Sequence, residues 1–326
     1  MKASRESLSS QCDEAALYSP DEAAALVARL CEALLGVSSY AHIINPNLEI
    51  PEASLPALQD ALARLAAGEP LQYVLGYADF LGMRLRVTPD VLIPRPETEE
   101  LCRRVIASYS SGSAAPRAIL DLCCGSGCIT WAMARAFPDA LVVGVDLSAE
   151  ALTVARSQDV VVGARSGASA SRLSPPVFLQ ADVLQVPELL QTLKALLNEH
   201  GCAGFDLLLS NPPYVRESER TQMRRNVLDF EPEMALFVPD ADPLRFYKAS
   251  AEVFASELFA PSSFAAFELN EALGESTENI FKEKMCAVQL QKDIFEKNRF
   301  LFAKKMRKLF HSGTRLAIAI YRIVFS

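Results

Sequence analysis

The sequence predicts an α/β fold: a mostly parallel, doubly covered sheet preceded by a small helical domain. Three observations predict it. From Arg117 onward, short apolar runs alternate with amphipathic stretches, the pattern of βαβ units whose sheet is buried on both faces. Before that, the first 70 residues carry helix start and stop signals and little β-type sequence. Finally, chemistry-bearing residues recur at the carboxyl ends of successive predicted strands, where an open α/β sheet places its ligand crevice.

In chain order, "SPDEAAALVARLCEALLG" offers Ser19 as N-cap, Pro20 at the first helical position, Glu22 three residues after the cap and Gly36 as the stop. A second helix uses the same grammar, with Ser54 as cap, Pro56 in the first turn and Gly68 at the end. Residues 1–70 are read as this helical domain. Next, in residues 71–95, short β-type runs are split by Gly76, Gly82 and Pro89-Asp90, which predicts a hairpin linker. Over residues 96–305 the alternation runs "AILDL", "CITWAMARAF", "LVVGVD", "SAEALTVARS", "VFLQAD", "PELLQTLKALLNE", "DLLLS", "DPLRFYKASAEVFASEL", "SFAAFEL" and "LGESTENIFKEK". A Ser/Ala/Gly-rich piece, "VGARSGASASRLSPP", reads as a flexible insertion. The end of the chain, residues 306–326, is a basic tail read as a strand with a basic turn.

Composition narrows the function. The 326 residues are half hydrophobic, ample for a packed core. No apolar run approaches the roughly 20 residues of a membrane span, and the polar N-terminus resembles neither a signal nor a transit peptide, so a cytoplasmic protein with no membrane partner is expected. Eight cysteines without a CxxC pair read as reduced thiols, and "CCGSGC", with no histidine near it, is poorly spaced for a metal; no metal is expected. The net charge of −8 opposes direct nucleic-acid binding. It is concentrated at the start: residues 1–70 hold four basic and ten acidic side chains. Such a surface suits a basic protein partner or is simply solvated.

Four signals carry the chemistry. "ILDLCCGSGCI" is a strand, then Asp121, then a small-residue turn opening a helix, where glycine lets backbone N–H groups approach a ligand. Asp146 ends "VVGVD", placed to accept both hydroxyls of a ribose. In "LQADV", Asp182 can accept from an adenine amino group while Val183 covers the ring. The fourth is "FDLLLSNPPYVRE": two prolines stop a buried strand and stiffen a loop that holds the Asn211 amide and the Tyr214 ring in place.

Together these resemble the class I S-adenosylmethionine-dependent methyltransferases with a Rossmann-like sheet, and the NPPY subgroup that methylates a planar nitrogen. Such a nitrogen is a poor nucleophile because its lone pair is delocalised. Two acceptors, Asn211 Oδ1 and the Pro212 carbonyl, can grip its two N–H bonds while Tyr214 packs on the planar group, so that positioning and fixed dipoles supply most of the rate. A histidine-based hydrolase is disfavoured, because His42, His200 and His311 all lie away from these motifs.

The flanks narrow the resemblance. "EPLQYVLGYADFLGMRLRVTPDVLIPRPETEEL", "FEPEMALF" and "KDIFEKNRFLFAKK" are similar to the PrmC/HemK family, the peptide chain release factor glutamine N5-methyltransferases, over about residues 15–305. That resemblance implies S-adenosylmethionine as methyl donor and the glutamine of a release factor's Gly-Gly-Gln loop as target. It also implies a helical first domain that docks the factor. It places the cofactor at Asp121, Cys123, Cys124, Gly125, Ser126, Gly127, Asp146, Asp182, Val183 and Asn211, and the glutamine at Asn211, Pro212, Pro213 and Tyr214. Another protein glutamine, an adenine, or a fold retained without catalysis stay open on the residues alone. Four positions depart from the family pattern: Cys123, Asn270 and Pro243 stand where glycine is usual, and Leu273 replaces a glutamine. A cysteine at 123 tolerates the turn only if its φ is negative.

Overall fold

The computed structural model describes residues 17–38, 44, 49–110, 114–160 and 175–306. The insertion, apart from its final two prolines, and the tail beyond residue 306 lie outside these.

The helical region holds α1 (Pro20–Leu35), α2 (Leu55–Ala66) and the short α3 (Leu71–Leu75). Ser19 closes a full capping box with Glu22, and Gly36 ends α1 at φ +66°. Ser54 behaves differently from expectation: it belongs to a 3-10 turn, Glu52–Ser54, and makes no capping hydrogen bond. Val27, Leu30, Leu58, Leu65 and Leu71 form this region's core. The segment Leu71–Leu75, read as β-type, is helical and packs on that core through Leu71, Val74 and Leu75. Two strands follow, β1 (Tyr77–Phe80) and β2 (Met83–Arg86), paired antiparallel from Tyr77↔Arg86 to Phe80↔Met83. Leu81 and Gly82 both have positive φ at their turn, the handedness that matches the twist of a tight hairpin.

The α/β region begins with α4 (Pro96–Ser110) and continues β3 (Ala118–Leu122), α5 (Cys128–Ala136), β4 (Leu141–Asp146), α6 (Ala149–Arg156), β5 (Val177–Gln180), α7 (Val186–Glu199) and β6 (Phe205–Ser210). Beyond it lie β7 (Val215–Arg216), α8 (Arg225–Phe230), β8 (Phe237–Val238), α9 (Arg245–Ala255), β9 (Phe259–Glu268), α10 (Gly274–Glu283), β10 (Cys286–Lys292) and β11 (Asn298–Lys305). Seven strands make one sheet in the order β10-β11-β9-β6-β3-β4-β5. Only β11 runs against its neighbours; the other pairs, β6–β9, β3–β6, β3–β4 and β4–β5, are parallel.

Alternation along the strands feeds two cores. Leu120, Leu122, Val143, Leu208 and Phe267 face one side with α7, α9 and α10, and Ile119, Val142, Leu207 and Leu209 face the other with α4 and α5. Strand order reverses between β3 and β6, whose carboxyl ends meet in register at Leu122↔Ser210. That reversal opens the crevice. Among the described residues, no helix is long and apolar enough to cross a membrane.

Candidate active site

The crevice is a cavity of about 380 Å³. Nine of the residues singled out in the sequence line it: Cys123, Cys124, Gly125 and Ser126 from the turn after β3, Asp146 after β4, Asp182 and Val183 after β5, and Asn211 and Pro213 after β6. Asp121, Gly127, Pro212 and Tyr214 do not.

The turn after β3 closes on itself. Cys124 N–H donates to the Val145 carbonyl (2.9 Å) and Gly127 N–H to the Cys124 carbonyl (2.8 Å). Gly125 N–H donates to Asp146 Oδ2 (2.8 Å). These donors therefore shape the loop, where the sequence suggested glycine N–H groups facing a ligand. Cys123 adopts φ +59°, the left-handed region that disfavours a side chain. The turn forms with a cysteine there nonetheless, contrary to the expectation that it requires a negative φ, because the backbone bonds on either side hold it. Gly127 has φ +78°, and an added Cβ would press on Ala155, Phe178 and Trp131 at 3.1–3.2 Å. Its role is to let α5 sit close to the sheet.

Asp146 is held at both oxygens, Oδ2 by Gly125 N–H and Oδ1 by Ser148 N–H (2.9 Å). Burial raises its carboxyl and these N–H groups oppose the rise. A carboxylate has about four lone-pair sites, so two remain for hydroxyls in the cavity. Asp182 Oδ1 accepts from Leu184 N–H (2.8 Å), and the buried Val183 beside it presents an apolar wall. This donor set fits a nucleoside: a fixed carboxylate for a diol, and an apolar face with an acceptor at its edge.

Asp121 is fully buried. Oδ2 accepts from Thr130 Oγ1 (2.6 Å), while Oδ1 has no partner. Burial pushes its carboxyl up to about 7. It ties β3 to α5 through Thr130 and does not line the cavity. Burial also raises the thiols of Cys123, Cys124 and Cys128, leaving them protonated and poorly suited to act as nucleophiles.

On the other side of the crevice, Ser210 Oγ donates to the Leu122 carbonyl (2.6 Å), locking β6 to β3 where the NPPY loop begins. Asn211 Nδ2 donates to Thr98 Oγ1 (2.9 Å). Thr98 donates to Glu268 Oε2 (2.6 Å), and Tyr214 OH donates to Glu268 Oε1 (2.8 Å). Burial raises both the Glu268 carboxyl and the Tyr214 phenol. Thr98 lies in "PRPETE" and Glu268 in "FEL"; both segments are noted above, but neither residue is singled out there. The Asn270 departure is benign: at φ −65° it needs no glycine, and its Nδ2 reaches Glu219 Oε2 (3.0 Å) and the Tyr214 carbonyl (3.3 Å). Among the described residues, no group of three or more His, Cys, Asp or Glu side chains is arranged to hold a metal ion.

Residues 7–76 match the family described as PrmC N-terminal domain, and residues 119–197 match the family described as methyltransferase domain. The chain is 37% identical over 290 residues to a release factor glutamine methyltransferase of Bacteroides thetaiotaomicron, spanning 89% of this chain and 95% of that protein. It is 33% identical over 261 residues to a protein of the same name from Flavobacterium psychrophilum, spanning 79% and 84%. Both relatives exceed 30% identity and are covered over more than four fifths of their length, and on that evidence the chain belongs to the release factor glutamine methyltransferase family.

Proposed function

We propose that the cavity binds S-adenosylmethionine and that the protein methylates the side-chain amide nitrogen of the glutamine in the Gly-Gly-Gln loop of class I peptide chain release factors. The observation that carries the reading is the placement of Asn211. Its amide lines the same cavity as Asp146, and its Oδ1 takes no hydrogen bond from the described residues while its Nδ2 is engaged by Thr98.

In this reading Asp146 accepts the ribose hydroxyls, Asp182 accepts from the adenine amino group and Val183 covers the ring. The turn from Cys123 to Gly127 bounds the amino-acid end, with Asp121 supporting it from behind. S-adenosylmethionine, when bound, supplies an electrophilic methyl group on its sulfonium.

Asn211 Oδ1 accepts one N–H of the substrate amide and fixes the plane of that group. The resemblance assigns the second acceptor to the Pro212 carbonyl. The buried prolines Pro212 and Pro213 keep the loop stiff, so little ordering is required when the substrate arrives. Among the described residues, no histidine or lysine lines the cavity, which agrees with a reaction driven by positioning and fixed dipoles rather than by a strong base. The acidic first domain suits a basic protein substrate.

Asn211→Ala tests the reading. Transfer is expected to fall by about 10²-fold or more, the scale of removing one fixed polar contact to the reacting group, while affinity for S-adenosylmethionine stays unchanged by calorimetry. Near-normal turnover would overturn it.

A further inference from the structure

Asn211 and Tyr214 of the NPPY loop share one hydrogen-bonded path with Thr98 and Glu268, which come from distant parts of the chain. Glu268 faces two hydroxyls, Thr98 at 2.6 Å and Tyr214 at 2.8 Å. Both hydroxyls donate to it, one to each carboxyl oxygen. Thr98 has a single hydroxyl hydrogen. With that hydrogen committed to Glu268, Thr98 Oγ1 has only lone pairs to offer Asn211, 2.9 Å away. Asn211 must then turn its NH2 toward Thr98 and its oxygen toward the cavity, because the opposite orientation would set two acceptors against each other. Thr98 and Glu268 are each 1% exposed, so water has little access to relieve a mismatch.

We propose that Thr98 and Glu268 are positioning residues: the buried carboxylate, acting through the threonine hydroxyl, decides which end of the Asn211 amide faces the substrate. The inference rests on the reading of Asn211 as the acceptor for the substrate amide. It specifies the polarity that reading needs. A planar nitrogen that carries hydrogens requires an oxygen opposite it, and an Asn211 free to flip would present NH2 to N–H for part of the time. The arrangement also favours an N–H-bearing substrate group over one that can only accept.

The test compares the wild type with Thr98→Val, Thr98→Ser and Glu268→Met. Turnover is measured on a release factor carrying its Gly-Gly-Gln loop, S-adenosylmethionine affinity by calorimetry, and folding by thermal melting. Valine keeps the shape of threonine and removes the relay, so kcat is expected to fall about 10²-fold, the scale of a small misplacement at a reacting centre. KM for the release factor and affinity for S-adenosylmethionine are expected to change less than about threefold, on the same reasoning that only orientation is lost. Serine restores the hydroxyl and is expected to restore most of kcat. Glu268→Met, which frees the Thr98 hydrogen to donate to Asn211, is expected to lower kcat with cofactor binding retained.

Wild-type turnover in Thr98→Val, or a Thr98→Ser variant as slow as Thr98→Val, would overturn the inference while leaving the methyltransferase reading intact. A wild-type protein that binds S-adenosylmethionine yet leaves the glutamine unmodified would overturn the reading, and the inference with it.

Discussion

Arg95 and Glu231 lie 136 residues apart and meet at 2.6 Å beside the cavity, joining the "IPRPETE" segment to "FEPEMALF". The Glu231 side chain is 1% exposed and also accepts Ile93 N–H at 3.2 Å. The pair fixes the wall made by Ile93, Pro94 and Arg95 against that made by Pro232 and Met234. Glu231 is buried while Arg95 is 30% exposed, so Arg95→Ala, which leaves the Glu231 charge without its partner, is expected to destabilise the protein by about 2 kcal/mol, less than breaking a fully buried pair, measured by urea unfolding. Arg95→Met combined with Glu231→Leu is expected to recover most of that loss; a double variant no better than the single would show that the contact is not acting as an ion pair.

Cys123 holds a left-handed φ of +59° in the turn after β3. A β-branched side chain is the poorest fit to that conformation, so Cys123→Val is expected to cost about 2 kcal/mol and to weaken S-adenosylmethionine binding by opening the turn. Cys123→Gly, which suits the backbone, is expected to match or slightly exceed the wild type in melting temperature. A valine variant as stable as the glycine variant would mean that the turn relaxes away from this conformation.

Asp121 gives a pH signature. Its carboxyl is raised by burial to about 7 from the usual 3.8, so between those values the folded protein holds a proton that the unfolded chain releases. The contribution to stability is fully present below about pH 4 and is lost as pH rises toward 7, at up to about 1.4 kcal/mol per pH unit. Asp121→Asn stays neutral and can still accept from Thr130. The stability of the wild type relative to Asp121→Asn, without ligand, is therefore expected to fall between pH 4 and pH 7. Parallel melting curves across that range would contradict the assignment.

Asp146 separates cofactor binding from substrate positioning. Asp146→Ala removes the acceptor proposed for the ribose hydroxyls and the partner of Gly125 and Ser148 N–H groups. Charge-assisted hydrogen bonds contribute about 1.5–3 kcal/mol each, so affinity for S-adenosylmethionine is expected to fall by about 10²-fold in calorimetry. Unchanged affinity would move the ribose elsewhere in the cavity.

Much of the fold is legible from periodicity alone. The strands from "AILDL" to "SFAAFEL" could be read because a sheet buried on both faces requires nearly continuous apolar runs, bounded here by helices with ordinary lengths. Leu71–Leu75 could not, since five mainly apolar residues fit a strand as well as a helix turn and its packing on α1 and α2 decides the matter. Ser54 carries the right residue type for a cap, but the preceding 3-10 turn puts it in a helical conformation.

The site is legible where motif and strand end coincide, as at Asp146 and Asn211. It is not legible in the Thr98–Glu268 contact, which spans 170 residues of sequence: no local pattern encodes which hydroxyl meets which carboxylate. The same limit hides the orientation of Asp121, whose position at the end of a strand resembles that of Asp146 but whose side chain turns toward α5.

The most direct test of the central claim is methyl transfer from labelled S-adenosylmethionine to the organism's own release factor, comparing the intact Gly-Gly-Gln loop with one changed to Gly-Gly-Ala. The proposed function predicts label on the glutamine-containing factor and none on the alanine version. Label on both, or on neither despite measurable S-adenosylmethionine binding, would contradict it.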